Sequence, residues 1–280
     1  MRSVQAAAEV REQVAQWRAQ GQRILFVPTM GSLHAGHLRL VEQARTLAGR
    51  VIVSVFVNPT QFAPGEDYAT YPRSLAADSR QLENARVDLL FAPGLDDIYP
   101  EGAGIDPALT LPAEAAGLES DSRPDFFAGV VTVAKRLFEL VQPDVAVFGE
   151  KDYQQLAVVR ALVQQLHWPI EVIGVATVRE ADGLAMSSRN QYLSNEERRR
   201  APRFYQTLCR TAQRLRAGED PAQLESAARQ ALAAAGFEPD YVSIRRAQDL
   251  QPLCAGDPTP AVVLAAARLG RTRLIDNVMV

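Results

Sequence analysis

Two of the chain's three histidines, His34 and His37, stand three residues apart in the stretch PTMGSLHAGHLRL. They follow a short apolar run that predicts a strand, and Gly31 and Gly36 remove side-chain bulk around them. Where a strand enters a helix, free backbone N–H groups and the helix dipole favour a phosphate. Imidazoles in the first helical turn can donate hydrogen bonds to oxygens that gain charge during displacement at phosphorus. This histidine turn, residues 30–37, therefore predicts a phosphate site.

Three further polar groups follow strand-like runs. NPTQF comes after VIVSVFV, EKDYQQL comes after DVAVFG, and LAMSSRNQYL comes a turn after IEVIGVATV. Lys151 offers a point charge, and residues 187–189 offer two hydroxyls and a guanidinium that suit phosphate oxygens. Asn58 and Gln61 suit a small polar substrate held by amide hydrogen bonds. Taken singly, each group has an ordinary alternative: a solvated Lys–Asp pair, a capped surface loop, or an Asn-Pro turn.

The segments that must position these groups alternate between strands and helices. Short apolar runs at 23–27, 51–57, 87–93, 144–149 and 170–178 predict strands that are buried on both faces. Amphipathic helical patterns separate them, which indicates right-handed crossovers and a doubly wound parallel sheet. Ligands bind to such sheets outside the carboxyl ends of the strands, so we expect the four polar groups to converge there.

Near residue 186 the alternation of strand and helix patterns ends, and two consecutive helices followed by two strand-like runs are predicted instead. Ser194 and Glu197 form a capping-box pattern for a helix that we expect to run to Gly218. A second helix is expected from Asp220 to Gly236. Two strand-like runs, DYVSIR and PAVVLAAARLG, close the chain.

These patterns together predict an α/β fold with two parts. We expect a Rossmann-like, doubly wound parallel sheet over residues 1–180 and a smaller C-terminal α+β lid domain over residues 181–280. Asp182 and Gly183 predict a tight turn near the joint. The N-terminal stretch MRSVQAAAEVREQVAQW is predicted to be an amphipathic helix.

Composition limits the partners of the chain. Its 280 residues include 47% hydrophobic and 22% charged residues, which is typical of a globular protein. The net charge of −3 leaves no basic stripe for nucleic acid. Cys209 and Cys254 lie far apart and are expected to be reduced structural thiols. Neither a membrane span nor a signal-peptide pattern is found, so we expect a cytoplasmic protein without a membrane partner.

Several common catalytic motifs are missing from the sequence. There is no G-x-x-x-x-G-K-[ST], which argues against a P-loop enzyme, and GAGIDP lacks the third glycine of a dinucleotide-binding motif. Neither G-x-S-x-G nor H-E-x-x-H occurs. The motifs therefore favour a nucleotide-using α/β enzyme outside the dehydrogenase, hydrolase and zinc-protease classes.

The HAGH run after a strand resembles the H-x-G-H signature of the nucleotidyltransferase superfamily, and MSSRN stands where its second phosphate-binding signature would be. Within that superfamily, PTMGSLHAGH, VFVNPTQF, EDYATYPR, FGEKDYQQL, VREADGLAMSSRNQYLS and ARLGRTRLIDN closely resemble the pantothenate synthetase family, in order and over nearly the whole chain. This resemblance implies an AMP-forming carboxylate–amine ligase that condenses pantoate with β-alanine through a pantoyl adenylate. It also implies a homodimer, ATP as substrate, and Mg²⁺ bound mainly through the ATP phosphates rather than in a protein metal site.

The resemblance further implies a role for each matching residue. His37 would donate a proton, and His34, Lys151 and Arg189 would be the other catalytic residues. Gln61 would lie between pantoate and β-alanine, Gln155 rather than Gln154 would bind pantoate, and Asn58 would help to hold it. The ATP-binding residues would be Met30, Gly31, Ser32, Leu33, His34, Ala35, Gly36, His37, Gly149, Glu150, Lys151, Asp152, Val178, Met186, Ser187, Ser188 and Arg189.

Some points stay open at the level of the sequence. Asp125 and residues 134–136 depart from the family pattern, so no role is assigned to them. Loop 63–73, APGEDYATYPR, and closure of the C-terminal domain are expected to shield the adenylate from water. Two alternatives are another enzyme of the superfamily, such as an adenylyltransferase or an aminoacyl-tRNA synthetase-like protein, and a nucleotide sensor without catalysis. AMP release that requires both pantoate and β-alanine would separate them.

Overall fold

The computed structural model of the protein describes residues 1–63, 65–254, 256–257 and 259–280. Its larger sheet has six parallel strands: β1 Arg2–Val4, β2 Ile24–Thr29, β3 Arg50–Val55, β4 Leu89–Phe91, β5 Val145–Gly149 and β6 Glu171–Val175. The strand order is β1-β4-β3-β2-β5-β6. Residues 24–27 of β2 are each 0% exposed, as expected for a parallel strand covered on both faces.

Helices cover both faces of this sheet. They are α1 Ala7–Ala19, α2 Ala35–Arg45, α3 Leu75–Asn84, α4 Leu95–Ile98, α5 Glu119–Ser122, α6 Phe126–Val141 and α7 Tyr153–Gln165. Apolar side chains of α1, α6 and α7 form the core on one face, and those of α2 and α3 form the core on the other. The predicted doubly wound arrangement is therefore confirmed. Single 3-10 turns occur at Pro59–Gln61, Ala113–Ala115, Glu150–Asp152 and Ser188–Tyr192.

A second, antiparallel sheet follows, with the order β7-β8-β9. Its elements are α8 Asn195–Arg200, α9 Pro202–Arg216, α10 Pro221–Ala234, β7 Glu238–Arg246, β8 Ala261–Leu269 and β9 Thr272–Met279. One face of this small sheet packs against α9 and α10. The opposite face packs through Val262 and Leu264 against Leu118 and α7 of the larger part. Strands β8 and β9 are thereby held beside the carboxyl ends of β5 and β6.

The structure corrects three sequence-based expectations. Arg2–Val4 form an edge strand paired with β4, and the N-terminal helix begins only at Ala7. The helix expected from Ser194 to Gly218 is interrupted before Pro202, because proline has no N–H to continue the hydrogen-bond ladder. Three strands rather than two close the chain, since β9 pairs with β8 along its whole length.

Other local expectations are confirmed. The Ser194 hydroxyl accepts a hydrogen bond from the Glu197 N–H, and Asp220 caps α10 in the same way. Gly183 (φ 94°) forms the predicted tight turn, with its N–H donating to the Glu180 carbonyl at 2.9 Å. Within the described part of the chain, none of the helices has the length and apolar character needed to cross a membrane.

Candidate active site

A cavity of about 920 Å³ opens at the carboxyl ends of β2, β3, β5 and β6. All four polar groups singled out in the sequence contribute to its wall, so their predicted convergence is confirmed. Gly31, Ser32, Leu33, Ala35, Glu150 and Asn58 are not part of the lining. The predicted site residues that line the cavity are Met30, His34, Gly36, His37, Gln61, Gly149, Lys151, Asp152, Gln155, Val178, Met186, Ser187, Ser188 and Arg189.

The histidine turn begins with two residues in the left-handed backbone region, Gly31 (φ 79°) and Ser32 (φ 52°). Asp78 of α3, which is 1% exposed, accepts hydrogen bonds from the N–H groups of Ser32 and Leu33, both at 2.9 Å. The Gly31 N–H donates to the Thr29 hydroxyl at 3.2 Å. The N–H groups of Met30, Gly31 and Ser32 were expected to be free for a phosphate; this is wrong for Gly31 and Ser32, because the chain itself satisfies them. They fix the turn from which the histidines project.

His34 and His37 contact each other, with ring centroids 4.1 Å apart. The Nδ1 atom of His34 accepts from the Gly36 N–H at 3.1 Å, and Nδ1 of His37 accepts from the His34 N–H at 3.3 Å. Each neutral ring therefore carries its proton on Nε2. Burial, then His34 and the Lys151 ammonium, lower the pKa of His37 to about 3, while burial and Lys151 lower the pKa of His34. At neutral pH the pair supplies two uncharged N–H donors.

Lys151 lies in the 3-10 turn that follows β5. Its ammonium nitrogen is 3.6 Å from Asp152 Oδ1, and its side chain is 19% exposed against 45% for Asp152. The charge of Lys151 lowers the pKa of both histidines, which means that the three groups share one electrostatic environment. The cavity therefore contains an ammonium beside two neutral imidazoles, an arrangement that favours an anionic ligand.

Arg189 belongs to the Ser188–Tyr192 turn and is held by loop 63–73. Its Nε and Nη2 atoms donate to the two carboxylate oxygens of Asp67 at 3.1 and 2.9 Å. Its guanidinium carbon lies 5.9 Å from the ring centre of Phe62 and 5.4 Å from that of Tyr71. The Tyr71 hydroxyl is 3.2 Å from the Ser188 hydroxyl. Loop 63–73 thus covers the loop at 187–189, and Pro64 of this predicted shield lies outside the described residues.

Asn58 and Gln61 form a connected amide pair. Asn58 is 1% exposed, and its Nδ2 donates to Gln61 Oε1 at 3.1 Å and to the Gly129 carbonyl at 3.3 Å. Its Oδ1 accepts from the Tyr99 hydroxyl at 2.7 Å. Helix α6 approaches this turn closely, since a Cβ at Gly129 would lie 2.2 Å from the Thr60 carbonyl oxygen. Asn58 thus fixes the carbonyl end of Gln61 and leaves its NH₂ end for a ligand.

The two adjacent glutamines of α7 have different surroundings. Gln155 lines the cavity. Gln154 is 3% exposed, its carbonyl oxygen accepts from the Glu119 N–H at 3.1 Å, and its NH₂ group donates to the Glu114 and Gly117 carbonyls at 3.0 and 3.2 Å. Both glutamines line the cavity, but the amide of Gln154 is used to anchor the segment before α5, and Gln155 is the less buried of the two.

A chain of ion pairs along the cavity wall was not predicted. Arg123 pairs with Glu66 at 2.7 Å and with Glu119 at 3.7 Å. Arg273 of β9 pairs with Glu119 and with Asp240, both at 2.7 Å. Apart from the i,i+4 pair of Glu119 and Arg123, the partners are far apart in the sequence, and a single-sequence pattern carries no signal for such pairing. Asp78 was also missed, because an acidic residue in the first turn of a helix is ordinary.

A profile described as Pantoate-beta-alanine ligase matches residues 2–279 of the chain. The chain belongs to the pantoate–β-alanine ligase family. Among curated members, the pantothenate synthetase of Pseudomonas paraeruginosa is 51% identical over 281 residues, which cover 100% of this chain and 99% of the relative. That of Chromohalobacter salexigens is 52% identical over 272 residues, covering 97% and 96% respectively.

Solved structures of the family share this fold. The crystal structure of pantothenate synthetase from Thermus thermophilus has a TM-score of 0.90 and 48% identity, covering 99% of each chain. The pantoate-beta-alanine ligase from Francisella tularensis, complexed with beta-gamma ATP and beta-alanine, has a TM-score of 0.82 and 34% identity, covering 100% of this chain and 97% of that one. The predicted family and fold class are confirmed, and the chain is a ligase.

Proposed function

We propose that the chain condenses pantoate with β-alanine in two steps within this cavity, through a pantoyl adenylate that is cleaved to AMP and pantothenate. The overall ATP-dependent condensation is supported by the chain's membership of the pantoate–β-alanine ligase family. The observation that supports the two-step course is a single cavity whose lining includes a cationic, donor-rich end at Lys151 and the histidines and an amide end at Gln61 and Gln155. A carboxylate is a poor acyl donor, and a mixed anhydride with AMP provides it with a good leaving group.

ATP occupies the end that contains the histidine turn, Lys151 and residues 186–189. The ATP complex of the Francisella tularensis relative supports a nucleotide in this family. Gly149, which ends β5, and Val178, three residues beyond the end of β6, lie beside the adenosine. The two Nε2–H groups, the ammonium and the hydroxyls of this end are directed to phosphate oxygens.

Pantoate and β-alanine occupy the amide end. Gln61 and Gln155 donate to the hydroxyl and carboxylate oxygens of pantoate. Asn58 acts indirectly, because its hydrogen bond orients the amide of Gln61. Helix α6 contributes Val130 and Val133 to the cavity wall. This apolar surface suits the two methyl groups of pantoate, whose transfer from water is favourable. The pocket therefore distinguishes pantoate from a carboxylate without a branched apolar part.

In the first step, a carboxylate oxygen of pantoate attacks the α-phosphorus of ATP and the bond to the pyrophosphate oxygen breaks. Lys151 and Arg189 stabilise the negative charge that grows on the leaving pyrophosphate. The anionic phosphates oppose the effects that lower the pKa of His37, so the ring gains basicity when ATP binds. Once protonated in the ATP-bound site, His37 donates its proton to the leaving pyrophosphate oxygen, and His34 makes the second hydrogen bond to phosphate.

Arg189 is proposed to exchange partners for this step. Asp67 occupies two donors of its guanidinium, so a phosphate of ATP replaces the Asp67 carboxylate as loop 63–73 adjusts. The loop then closes over the phosphates and keeps water from the adenylate.

In the second step, the neutral amine of β-alanine attacks the acyl carbon, the bond to the AMP oxygen breaks, and the proton that the nitrogen loses passes to a phosphate oxygen of the departing AMP. The two thiols, Cys209 and Cys254, do not line the cavity, and the hydroxyl of Ser187 accepts from the Arg189 N–H rather than contacting a base. The adenylate is therefore attacked directly, without an acyl-enzyme.

Mg²⁺ is proposed to accompany ATP. Among the residues that the structure describes, no group of three His, Cys, Asp or Glu side chains is placed to hold a metal ion. Mg²⁺ commonly keeps several waters and binds substrate phosphates with one or two carboxylates, so these residues fit a phosphate-bound ion. Asp152, which is half-exposed at the phosphate end, is the carboxylate we assign to it. The ion would neutralise phosphate charge.

The course of the reaction is tested by isotope transfer. With ¹⁸O in the pantoate carboxylate, one labelled oxygen should appear in the phosphate of AMP after turnover with β-alanine. AMP release should require both substrates, which neither an adenylyltransferase nor a nucleotide sensor would show. Label that is absent from AMP, or present in pyrophosphate, would refute attack at the α-phosphorus.

The division of the cavity is tested by steady-state kinetics. Replacing Gln61 or Gln155 with Ala should raise the KM for pantoate far more than the KM for ATP, while Lys151→Ala should do the reverse or lower kcat. Gln164→Ala, on the exposed side of the same helix as Gln155, is the matched control and should change neither constant. A Gln61→Ala enzyme affected in ATP alone would contradict the division.

The assembly of the chain is also a proposal. We propose a homodimer that works in the cytoplasm, and a division of each chain into residues 1–180 and 181–280 with the smaller part acting as a lid. Sedimentation of the purified protein tests the dimer, and limited proteolysis near residue 180 with and without ATP tests the division.

A further inference from the structure

The stretch RTRLIDN, which contributes Arg273 to the wall, also carries Asn277 on β9. The Asn277 side chain is directed to the turn after β5 rather than to a ligand. Its Nδ2 atom donates to the Glu150 carbonyl at 2.7 Å and to the Lys151 carbonyl at 3.0 Å. The residue is 6% exposed, so water cannot readily replace it as a donor. One amide thus binds two consecutive carbonyls of the turn that bears Lys151.

The amide of Asn277 is itself held firmly. Its backbone N–H donates to Asp276 Oδ1 at 2.8 Å, and its carbonyl accepts from Arg179 Nη2 at 3.3 Å. Arg179 also pairs with both oxygens of Asp276 at 2.6 and 2.9 Å, and its guanidinium carbon lies 3.6 Å from the ring centre of Tyr205. The backbone of Asn277 is therefore held on both sides. Its side chain can hold the turn that bears Lys151, called the lysine turn below, in one position.

We propose that Asn277 is a positioning residue for Lys151, so that the small sheet determines where the ammonium meets the phosphates. Two consecutive carbonyl oxygens directed at one point repel each other unless a group with two N–H donors lies between them, and the NH₂ of asparagine is such a group. Removing it leaves two carbonyls without their partner and lets the turn relax. The Lys151 side chain then starts from a displaced Cα. The proposal rests on the proposed role of Lys151 in binding ATP.

A double-mutant cycle tests this coupling. The affinity for a non-cleavable ATP analogue, α,β-methylene-ATP, is measured by calorimetry on the full chain as wild type, Asn277→Ala, Lys151→Ala and the double variant. We expect Asn277→Ala to weaken binding about tenfold in the wild type and less than about twofold when Lys151 is absent, because contacting residues are non-additive. Asn277→Asp has the same shape and no donors, so it should weaken binding as well and serves if the alanine variant does not fold.

Tyr241→Phe is the matched control. It removes a hydrogen bond of 2.9 Å from the same small sheet to Glu119, away from the lysine turn, so its effect should add to that of Lys151→Ala. Equal weakening by Asn277→Ala in both backgrounds would mean a general structural role and would overturn the proposal. If Lys151→Ala alone left the affinity unchanged, the role of Lys151 in the proposed function would fail and the positioning role with it.

Discussion

Protonation of His37 should destabilise the folded chain as the pH falls. The pKa of His37 is lowered from 6.5 to about 3, first by burial and then by His34 and Lys151. Below pH 6.5 the unfolded chain therefore binds a proton that the folded chain does not, so the free energy of unfolding falls with pH by about 1.4 kcal/mol per unit. Between neutral pH and about pH 5 this single group should remove about 2 kcal/mol.

The matched variant is His37→Asn. The Oδ1 atom of asparagine can stand where Nδ1 stands and keep the hydrogen bond from the His34 N–H, while the titrating group is lost. Urea denaturation of wild type and variant at pH 7.5 and pH 5 gives the difference in unfolding free energy at each pH. That difference should shift by about 2 kcal/mol in favour of the variant at the lower pH.

Gln155→Ala controls for a general effect of altering the cavity, because it removes a polar side chain that does not titrate. It should keep the pH dependence of the wild type. If His37→Asn also kept that pH dependence, His37 would not be the neutral donor that its surroundings indicate. An NMR titration of the proton on Cε1 of His37 measures the pKa of this ring directly, for comparison with the value of about 3.

Three other substitutions test separate features. Gly129→Ala brings a Cβ to 2.2 Å from the Thr60 carbonyl oxygen, so it should cost about 1–3 kcal/mol in urea denaturation and raise the KM for pantoate. Asp67→Asn removes the carboxylate that competes for Arg189, so the KM for ATP should fall about fivefold, the equivalent of about 1 kcal/mol, and an unchanged value would contradict the exchange. Ser194→Ala removes a helix cap and should lower the unfolding free energy by about 1 kcal/mol, as urea denaturation would show, with kcat unchanged.

The larger sheet could be predicted because local pattern and buried position agree there. Residues 24–27 and 51–53 are continuous apolar runs, and the structure buries each of them completely. Arg2–Val4 were missed because three residues are too short for periodicity, and they become a strand only by pairing with Leu89–Phe91. Strand β9 was missed because Arg273, Asp276 and Asn277 break an apolar pattern, although these residues bond the small sheet to Glu119, Arg179 and the turn after β5.

The candidate site likewise has features that local sequence patterns predict and features that depend on distant contacts. The histidines, Lys151 and residues 187–189 could be found because each follows a strand, and sheet topology brings strand ends together. Free N–H groups were expected at Met30, Gly31 and Ser32. That the Ser32 N–H has a partner could not be foreseen from the sequence, because this partner, Asp78, is 46 residues away. Pairing of this kind depends on how α3 packs, which one sequence alone does not encode in a readable pattern.

The Asp67–Arg189 pair also bears on inhibitor design. The guanidinium donates two parallel hydrogen bonds of 3.1 and 2.9 Å to the carboxylate, with the rings of Phe62 and Tyr71 close by. A carboxylate is therefore a ready substitute for a phosphate at this point, and it carries less charge across a cell membrane than a triphosphate. An adenosine-like compound whose linker ends in a carboxylate at Arg189 would displace the loop's own acid, and flanking apolar atoms would bind the two rings.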